Sequence, residues 1–202
     1  MRGNYILYNP RLLIIPVVTF VLFVVTRNVN WILISMITLL SGVCFCRGAC
    51  FNPEPGTLQS PASGEILDIK TIMVDQKERT TIMIYLSLLD VHVQYCPLDC
   101  TVKSMLYRKG VFDFVFENDK GLNNEKLTTT LMYGDEEIVI CQVAGKIAKT
   151  IVSFVHENDT LKRGDPMGQI LLGSRVTIQF NTRPLNVKKG DIISVGSVLC
   201  TL

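Results

Sequence analysis

The sequence predicts a mainly β domain that follows an N-terminal hairpin of two hydrophobic helices. Three observations on the 202 residues support this prediction: two uncharged apolar runs near the front, many short β-branched runs after them, and a turn motif that occurs twice near the end. Apolar residues make up 48% of the sequence, and their concentration in the first fifty residues sets that segment apart. We therefore predict a membrane-associated helical hairpin at residues 1–50 and a β domain at 51–202.

The two apolar runs cover residues 12–25 and 31–46, with a short polar turn between them. Each is shorter than the roughly 20 residues that a straight transmembrane helix requires. This pattern favours a hairpin that dips into a membrane or barely crosses it, with a cleaved signal peptide and two buried helices as alternatives. The first fifty residues contain four arginines and no acidic residue. That charge suits anionic lipids and predicts both hairpin ends, and the β domain, on the cytoplasmic side of the cell (inner) membrane.

The charge and cysteine content of the chain argue against several classes of protein. Residues 51–202 contain 16 basic and 18 acidic side chains, so the β domain has no basic surface for nucleic acid. Seven cysteines, without paired CxxC motifs, favour reduced thiols over a disulfide framework. His92, Cys96 and Cys100 could supply three zinc ligands, but a fourth is not evident, and we predict no metal site.

The β domain is predicted from short β-branched and apolar runs that alternate with turn signals after a Pro- and Gly-rich linker at 51–60. One turn occurs twice, as LKRGD at 161–165 and, 26 residues later, as VKKGD at 187–191. In both we expect the glycine to adopt a positive φ and the aspartate to bond to nearby backbone. Paired hairpins of this kind are typical of the barrel-sandwich architecture of biotinyl and lipoyl carrier domains, so the predicted fold is barrel-sandwich-like.

A Gly-Ser pair, Gly173 and Ser174, interrupts a strong β pattern, ILLGSRVTIQF at 170–180. A glycine inside a strand usually marks a bulge or a close approach of backbone. The serine beside it could be a turn residue or a nucleophile, and the local pattern leaves both open.

Four short motifs stand in order along the chain: SPASG at 60–64, LDVHV at 89–93 with Pro97, VAGKIA at 143–148 and LGSRV at 172–176. Together they resemble the phosphatidylserine decarboxylase family, in the short form shared with archaetidylserine decarboxylases. The segments at 45–47, 107–110 and 123–126 are also similar to parts of that family. Each motif alone is weak, but their order from about residue 40 to the C-terminus makes the resemblance specific.

The resemblance implies a carboxy-lyase, a self-processing phosphatidylserine decarboxylase that acts on its lipid in the membrane. The Ser174 hydroxyl would attack the carbonyl of Gly173, and β-elimination and hydrolysis would leave a pyruvoyl cofactor at residue 174. Cleavage would give a β subunit of residues 1–173 and an α subunit of 174–202, which stay paired; assembly into a homo-oligomer is left open. A Schiff base between the pyruvoyl group and phosphatidylserine would withdraw the electrons left by CO2, giving phosphatidylethanolamine.

His92 is the expected proton carrier, because an imidazole titrates near neutrality and this residue lies in the family's DVH motif. At strand spacing Asp90 would point to the same face and could orient the ring. A structural histidine at a strand end is the alternative. His156, the only other histidine, is in a polar turn and is expected at the surface.

The chain departs from the family pattern at Ser63, where the family's SPADG motif has aspartate. A serine cannot supply the negative charge that stabilises an imidazolium. Either Asp68 or Asp90 substitutes for it, or maturation is slow, or the chain is an unprocessed, degenerate member of the family. A non-catalytic, membrane-anchored barrel-sandwich adaptor or carrier is a further alternative.

Overall fold

The computed structural model describes residues 14–87, 89–110, 123–145, 151–170 and 174–202. Two helices come first, α1 (Ile14–Thr26) and α2 (Val29–Cys46). The strands described after them are β1 (Thr57–Gln59), β2 (Gly64–Val74), β3 (Lys77–Leu86), β4 (Val93–Tyr95), β5 (Cys100–Arg108), β6 (Lys126–Tyr133), β7 (Glu136–Ala144), β8 (Ile151–Ser153), β9 (Thr160–Leu161), β10 (Pro166–Ile170), β11 (Ser174–Asn181), β12 (Ile192–Ile193) and β13 (Val198–Thr201). The predicted mainly β chain with two N-terminal helices is confirmed.

The two helices form a hairpin with a very short connection. Arg27 adopts a left-handed φ of 57° and the side chain of Asn28 caps α2 by accepting the Asn30 N–H at 3.0 Å. The helices contact each other, and the Ser35 hydroxyl of α2 donates to the Pro16 carbonyl of α1 at 2.9 Å. Most of their large apolar side chains are exposed. None of the described helices combines the length and apolarity that a membrane crossing requires.

The strands form one large curled sheet, a half-barrel, and two small sheets. In the described residues the large sheet has the order β12-β2-β3-β11-β7-β6-β5-β9, and the small ones have the orders β4-β10-β8 and β1-β13. β11 is central: it pairs antiparallel with β3 over eight residues and with β7 over six. Its inward side chains Val176, Ile178 and Phe180 are fully buried, so the strand that begins at Ser174 packs into the main hydrophobic core.

The repeated turns have the predicted conformation. Gly164 and Gly190 have φ values of 82° and 87°. The carboxylate of the following aspartate accepts the N–H three residues earlier, from Lys162 at 2.7 Å in the first turn and from Lys188 at 2.9 Å in the second. Both predictions for the turns, the positive φ and the aspartate-backbone bond, are therefore confirmed.

One of the predicted β runs, TTIMIYLSLLDVHVQY at 80–95, is interrupted. It ends as a strand at Leu86 and resumes at Val93, with a turn at 89–90 between them. In the run at 168–180, β10 ends at Ile170 and β11 begins at Ser174; residues 171–173 lie outside the described residues, so the bulge expected at Gly173 is not tested. The interruption at 86–93 matters for function, because Asp90 lies in that turn and His92 follows it, immediately before β4.

Candidate active site

Ser174 is the first residue of β11, opposite Leu86 at the end of β3 and Ala144 at the end of β7. Its side chain points inward and is 0% exposed. Its Oγ has no hydrogen-bond partner among the described residues. A buried hydroxyl without a partner costs about 1–3 kcal/mol, and such exceptions in folded proteins call for an explanation. The Ser174 hydroxyl is thus held in the interior without a described structural bond.

His92 lies between the turn that follows β3 and the start of β4, and its side chain is fully buried. Its Nδ1 is 2.8 Å from the main-chain carbonyl of Asp90. A carbonyl only accepts, so Nδ1 carries the proton and the neutral ring has its lone pair at Nε2. Burial lowers the pKa of His92; the Asp90 carbonyl and charge raise this pKa and the Arg47 charge lowers it, with a net decrease. The ring is therefore kept neutral, as a base requires.

Asp90 holds the ring through its backbone rather than through its carboxylate. The carboxylate accepts the Ser87 N–H and the Ser87 hydroxyl, both at 2.7 Å, and closes the turn after β3. This differs from the expected contact between carboxylate and ring, because the Asp90 N–H also donates to the Ser87 carbonyl at 3.1 Å, which places Asp90 in a turn and not in a strand. The charge of Asp90 nevertheless acts on His92 from close by.

The chain path brings these residues to one end of the large sheet. Leu86 pairs with Ser174; the turn that contains Asp90 follows Leu86 in the chain, and His92 comes next, before β4. On the other side, the N–H of Ile170, the last residue of β10, donates to the His92 carbonyl at 3.1 Å. Ile170 precedes Ser174 by only four residues, so the His92 segment is tied to both sides of the start of β11.

The two carboxylates proposed as substitutes at the Ser63 position lie in different places. Ser63 itself is structural in the described residues, since its hydroxyl accepts the Val195 N–H at 2.9 Å. Asp68 lies within 3.4 Å of the Lys70 ammonium and 3.6 Å of that of Lys189. Its strand partner is Met83, three residues before the end of β3. Asp90 follows β3, whose last residue pairs with Ser174, so it lies at the Ser174 end of the sheet.

The end of the helical hairpin is attached beside this site. The Arg47 guanidinium donates to the Leu89 carbonyl in the turn before His92. The Ala49 N–H donates to the Tyr95 hydroxyl at 2.8 Å, and the rings of Phe51 and Tyr95 are 6.1 Å apart. Residues 47–51 therefore connect the hairpin directly to the segment that contains His92.

Three buried amides near the site are not among the residues that the sequence predicts for it. Asn124 donates to the carbonyl of Ala144, the strand neighbour of Ser174, at 2.8 Å. Gln94 and Gln142 are hydrogen-bonded to each other at 2.7 Å. The available signal was a polar side chain at an inward position of an apolar strand, as in VQY at β4 and ICQVA in β7.

Cys96 and Cys100, two of the three candidate zinc ligands, lie together in the interior with their sulfurs 3.3 Å apart. The described parts of the chain contain no group of three or more His, Cys, Asp or Glu side chains that could bind a metal ion.

Comparison with known proteins places the chain among lipid-metabolising enzymes. The family model described as phosphatidylserine decarboxylase matches residues 50–201. The phosphatidylserine decarboxylase proenzyme of Wolbachia sp. subsp. Brugia malayi is 31% identical over 196 residues, 91% of this chain and 85% of the relative. That of Wolbachia pipientis wMel is 33% identical over the same shares, and that of Pelagibacter ubique is 33% identical over 70% of this chain and 69% of its own. The chain therefore belongs to the phosphatidylserine decarboxylase family.

Proposed function

We propose that this chain is a self-processing carboxy-lyase that converts phosphatidylserine to phosphatidylethanolamine and CO2. Its family membership supports the decarboxylase activity, and the relatives named as proenzymes support processing of the chain. The observation that supports the assignment of the nucleophile is the Ser174 hydroxyl, which is buried without a described partner at the start of the central strand. We assign both the processing and the decarboxylation to the domain at residues 51–202.

The proposed cleavage uses only atoms of the chain and water. Oγ of Ser174 attacks the carbonyl carbon of Gly173, the C–N bond breaks, and the amide becomes an ester with a free amine at residue 174. Removal of the Hα of residue 174 then breaks the Cβ–Oγ bond, which releases Gly173 as a carboxylate and leaves a dehydroalanine. Hydrolysis of this enamine releases ammonia and leaves a ketone, the pyruvoyl group, at the start of residues 174–202.

The surroundings of Ser174 suit a pyruvoyl group. The residue is enclosed between the ends of β3 and β7. No described side chain bonds to its hydroxyl, so the loss of this oxygen to the Gly173 carboxylate removes no described side-chain hydrogen bond. When formed, this group supplies an electron-withdrawing carbonyl for the amine of the lipid serine. The strand pairs along β11 would keep residue 174 in place after the chain is cut.

His92 is proposed as the group that moves protons. A neutral ring with Nδ1 bonded to the Asp90 carbonyl offers Nε2 to accept the Ser174 proton. Asp90 is proposed to stabilise the imidazolium that forms, in the role that the family's aspartate would have at Ser63. Its closeness to the ring supports this over Asp68, which is engaged by two lysines.

We further propose that residues 1–50 lie in a membrane and that the β domain is on its cytoplasmic side. The exposed apolar faces of α1 and α2, and the absence of acidic residues from the first fifty positions, support insertion among anionic lipids. The attachment of residues 47–51 to the Tyr95 segment supports delivery of a lipid headgroup to the site.

Intact mass spectrometry of the full chain tests the cleavage. The unmodified protein is expected as two fragments, 1–173 and 174–202, with a ketone in place of the amine on the smaller one. Ser174→Ala is expected to remain one uncut chain. Ser60→Ala is the control: Ser60 is also fully buried, but its hydroxyl donates to the Ala62 carbonyl at 2.7 Å, and this variant is expected to cleave itself. Fragments from Ser174→Ala would refute the nucleophile. A single 22.6 kDa chain from the unmodified sequence would favour the degenerate member suggested by Ser63.

A further inference from the structure

Two buried glutamines connect the strand beside Ser174 to the segment that contains His92. Gln142 is in β7, two residues before Ala144, the register partner of Ser174. Its Nε2 donates to Oε1 of Gln94 in β4 at 2.7 Å, and Nε2 of Gln94 donates to the His92 carbonyl at 2.8 Å. A carbonyl only accepts, so this orientation of the two amides is the one that satisfies the chain of bonds. This series of hydrogen bonds runs from β7 of the large sheet to β4 of the three-stranded sheet, and it ends at the main-chain carbonyl of His92.

The His92 carbonyl also accepts the Ile170 N–H, so it receives two donors. One donor, Ile170, precedes Ser174 by four residues in the chain. The other, Gln94, is itself bonded to Gln142, which lies in the strand beside Ser174. The backbone of His92 is consequently fixed relative to the start of β11 from two directions.

The interior around these amides leaves little room for alternatives. Gln94 and Gln142 are 1% and 4% exposed, so water does not readily replace a lost partner. A Cβ added at Gly168 of β10 would lie 2.7 Å from the Val152 carbonyl oxygen and 3.1 Å from Nε2 of Gln142. Glycine at this position therefore gives the Gln142 amide the space in which it reaches Gln94.

We propose that Gln94 and Gln142 are positioning residues that place the His92 imidazole for proton transfer at residue 174, an inference that rests on the proposed function. Neither amide bonds to the ring or to Ser174 in the described structure; both act through the His92 carbonyl. The ring nitrogen is held separately by the Asp90 carbonyl. Loss of the amides would let the His92 backbone shift, and a displacement of about 1 Å can slow a reaction about 100-fold.

Methionine variants separate positioning from simple stability, because methionine keeps the length of glutamine without its polar atoms. Gln94→Met and Gln142→Met each leave one buried amide atom unpaired, whereas the double variant leaves none. We expect the thermal stability of the double variant to recover above that of the single variants. Its self-cleavage rate is expected to stay about 10- to 100-fold below that of the unmodified chain. Cleavage that recovers together with stability would overturn the inference.

Gln59 provides a matched control. It is 1% exposed, and its Nε2 donates to the carbonyls of Asn52 at 2.8 Å and Gly196 at 2.6 Å, without a described bond to the His92 segment. Gln59→Met is expected to lower thermal stability but to leave the cleavage rate, corrected for the folded fraction, unchanged. A cleavage defect as large as that of Gln94→Met would count against positioning.

A titration of His92 by NMR in the uncut Ser174→Ala chain tests the same inference without any activity. The sequence has two histidines, and His156, with a side chain 89% exposed, serves as the reference. The described charges that act on the His92 ring are those of Asp90 and Arg47, and both remain in the variants. We expect the double methionine variant to raise the pKa of His92 toward its ordinary value of about 6.5, because a displaced ring is better hydrated. An unchanged pKa would overturn positioning even if the chain does cleave itself.

Discussion

The ion pair of Glu136 and Arg183 would join the two fragments that self-cleavage produces. The guanidinium donates to both carboxylate oxygens, at 2.9 and 2.5 Å, and the Asn181 N–H donates to the same carboxylate at 2.9 Å. The side chains of Glu136 and Arg183 are 9% and 25% exposed. The pair is therefore only partly screened by water, and its loss should be measurable.

We expect Arg183→Met to destabilise the folded chain by about 2 kcal/mol. Removing one partner of a fully buried pair costs about 3–5 kcal/mol, and the exposure of Arg183 reduces that value. In the cleaved protein the same free energy would weaken binding of fragment 174–202 about 30-fold. Burial alone would raise the pKa of Glu136, but the hydrogen bonds from Arg183 and Asn181 outweigh it and the pKa is lowered. The stability from this pair is thus present above the ordinary carboxyl pKa and is lost as the pH falls through the lowered one.

Urea unfolding of the Ser174→Ala chain, with and without Arg183→Met, measures this difference in a single covalent species. The control is Lys103→Met, which removes the exposed pair of Lys103 and Glu137, with side chains 53% and 40% exposed. We expect that control to lose at most about 1 kcal/mol. Equal losses in the two variants, or a loss from Arg183→Met that does not shrink in acid, would refute the reasoning from burial.

Two further predictions concern the base and the membrane. The rate of self-cleavage should fall on acidification only below the ordinary imidazole pKa of about 6.5, since burial lowers the pKa of His92 and the neutral ring is the base. Gels that follow cleavage across a range of pH test this, and a midpoint of the rate at or above a pH of about 6.5 would contradict it. Trp31, the sole tryptophan and a residue of α2, should be quenched by brominated lipids in phosphatidylserine-containing vesicles. Emission that is unaffected by bromination would exclude insertion of α2.

The sequence is sufficient for features whose cause is local. The run GEILDIKTIMV coincides with β2, and the LKRGD and VKKGD turns form as expected because glycine and aspartate determine their geometry within five residues. β5 is harder to recognise, because most of its side chains are exposed and its apolar pattern is weak.

The arrangement of the candidate site depends on contacts between distant segments. The spacing of Asp90 and His92 is compatible with a strand, and it is the backbone and carboxylate contacts of Asp90 with Ser87 that identify a turn. The bond between Gln94 and Gln142 joins residues 48 positions apart in different sheets. The apolar neighbours of each glutamine indicate an inward side chain, but no local pattern shows that these two are bonded to each other, so tertiary structure is needed to find the pair.

The attachment of residues 47–51 limits how far the site can move from the hairpin. Five residues span at most about 17 Å, and the bond from Ala49 to Tyr95 shortens the free part of that connection. With the hairpin in a bilayer, the site would stay at a fixed depth beside the headgroups, because the connection is too short to act as a flexible tether. Substrate would then arrive by lateral diffusion within one leaflet. Turnover would follow the mole fraction of phosphatidylserine in the surface, and diluting the vesicles in buffer would leave it unchanged.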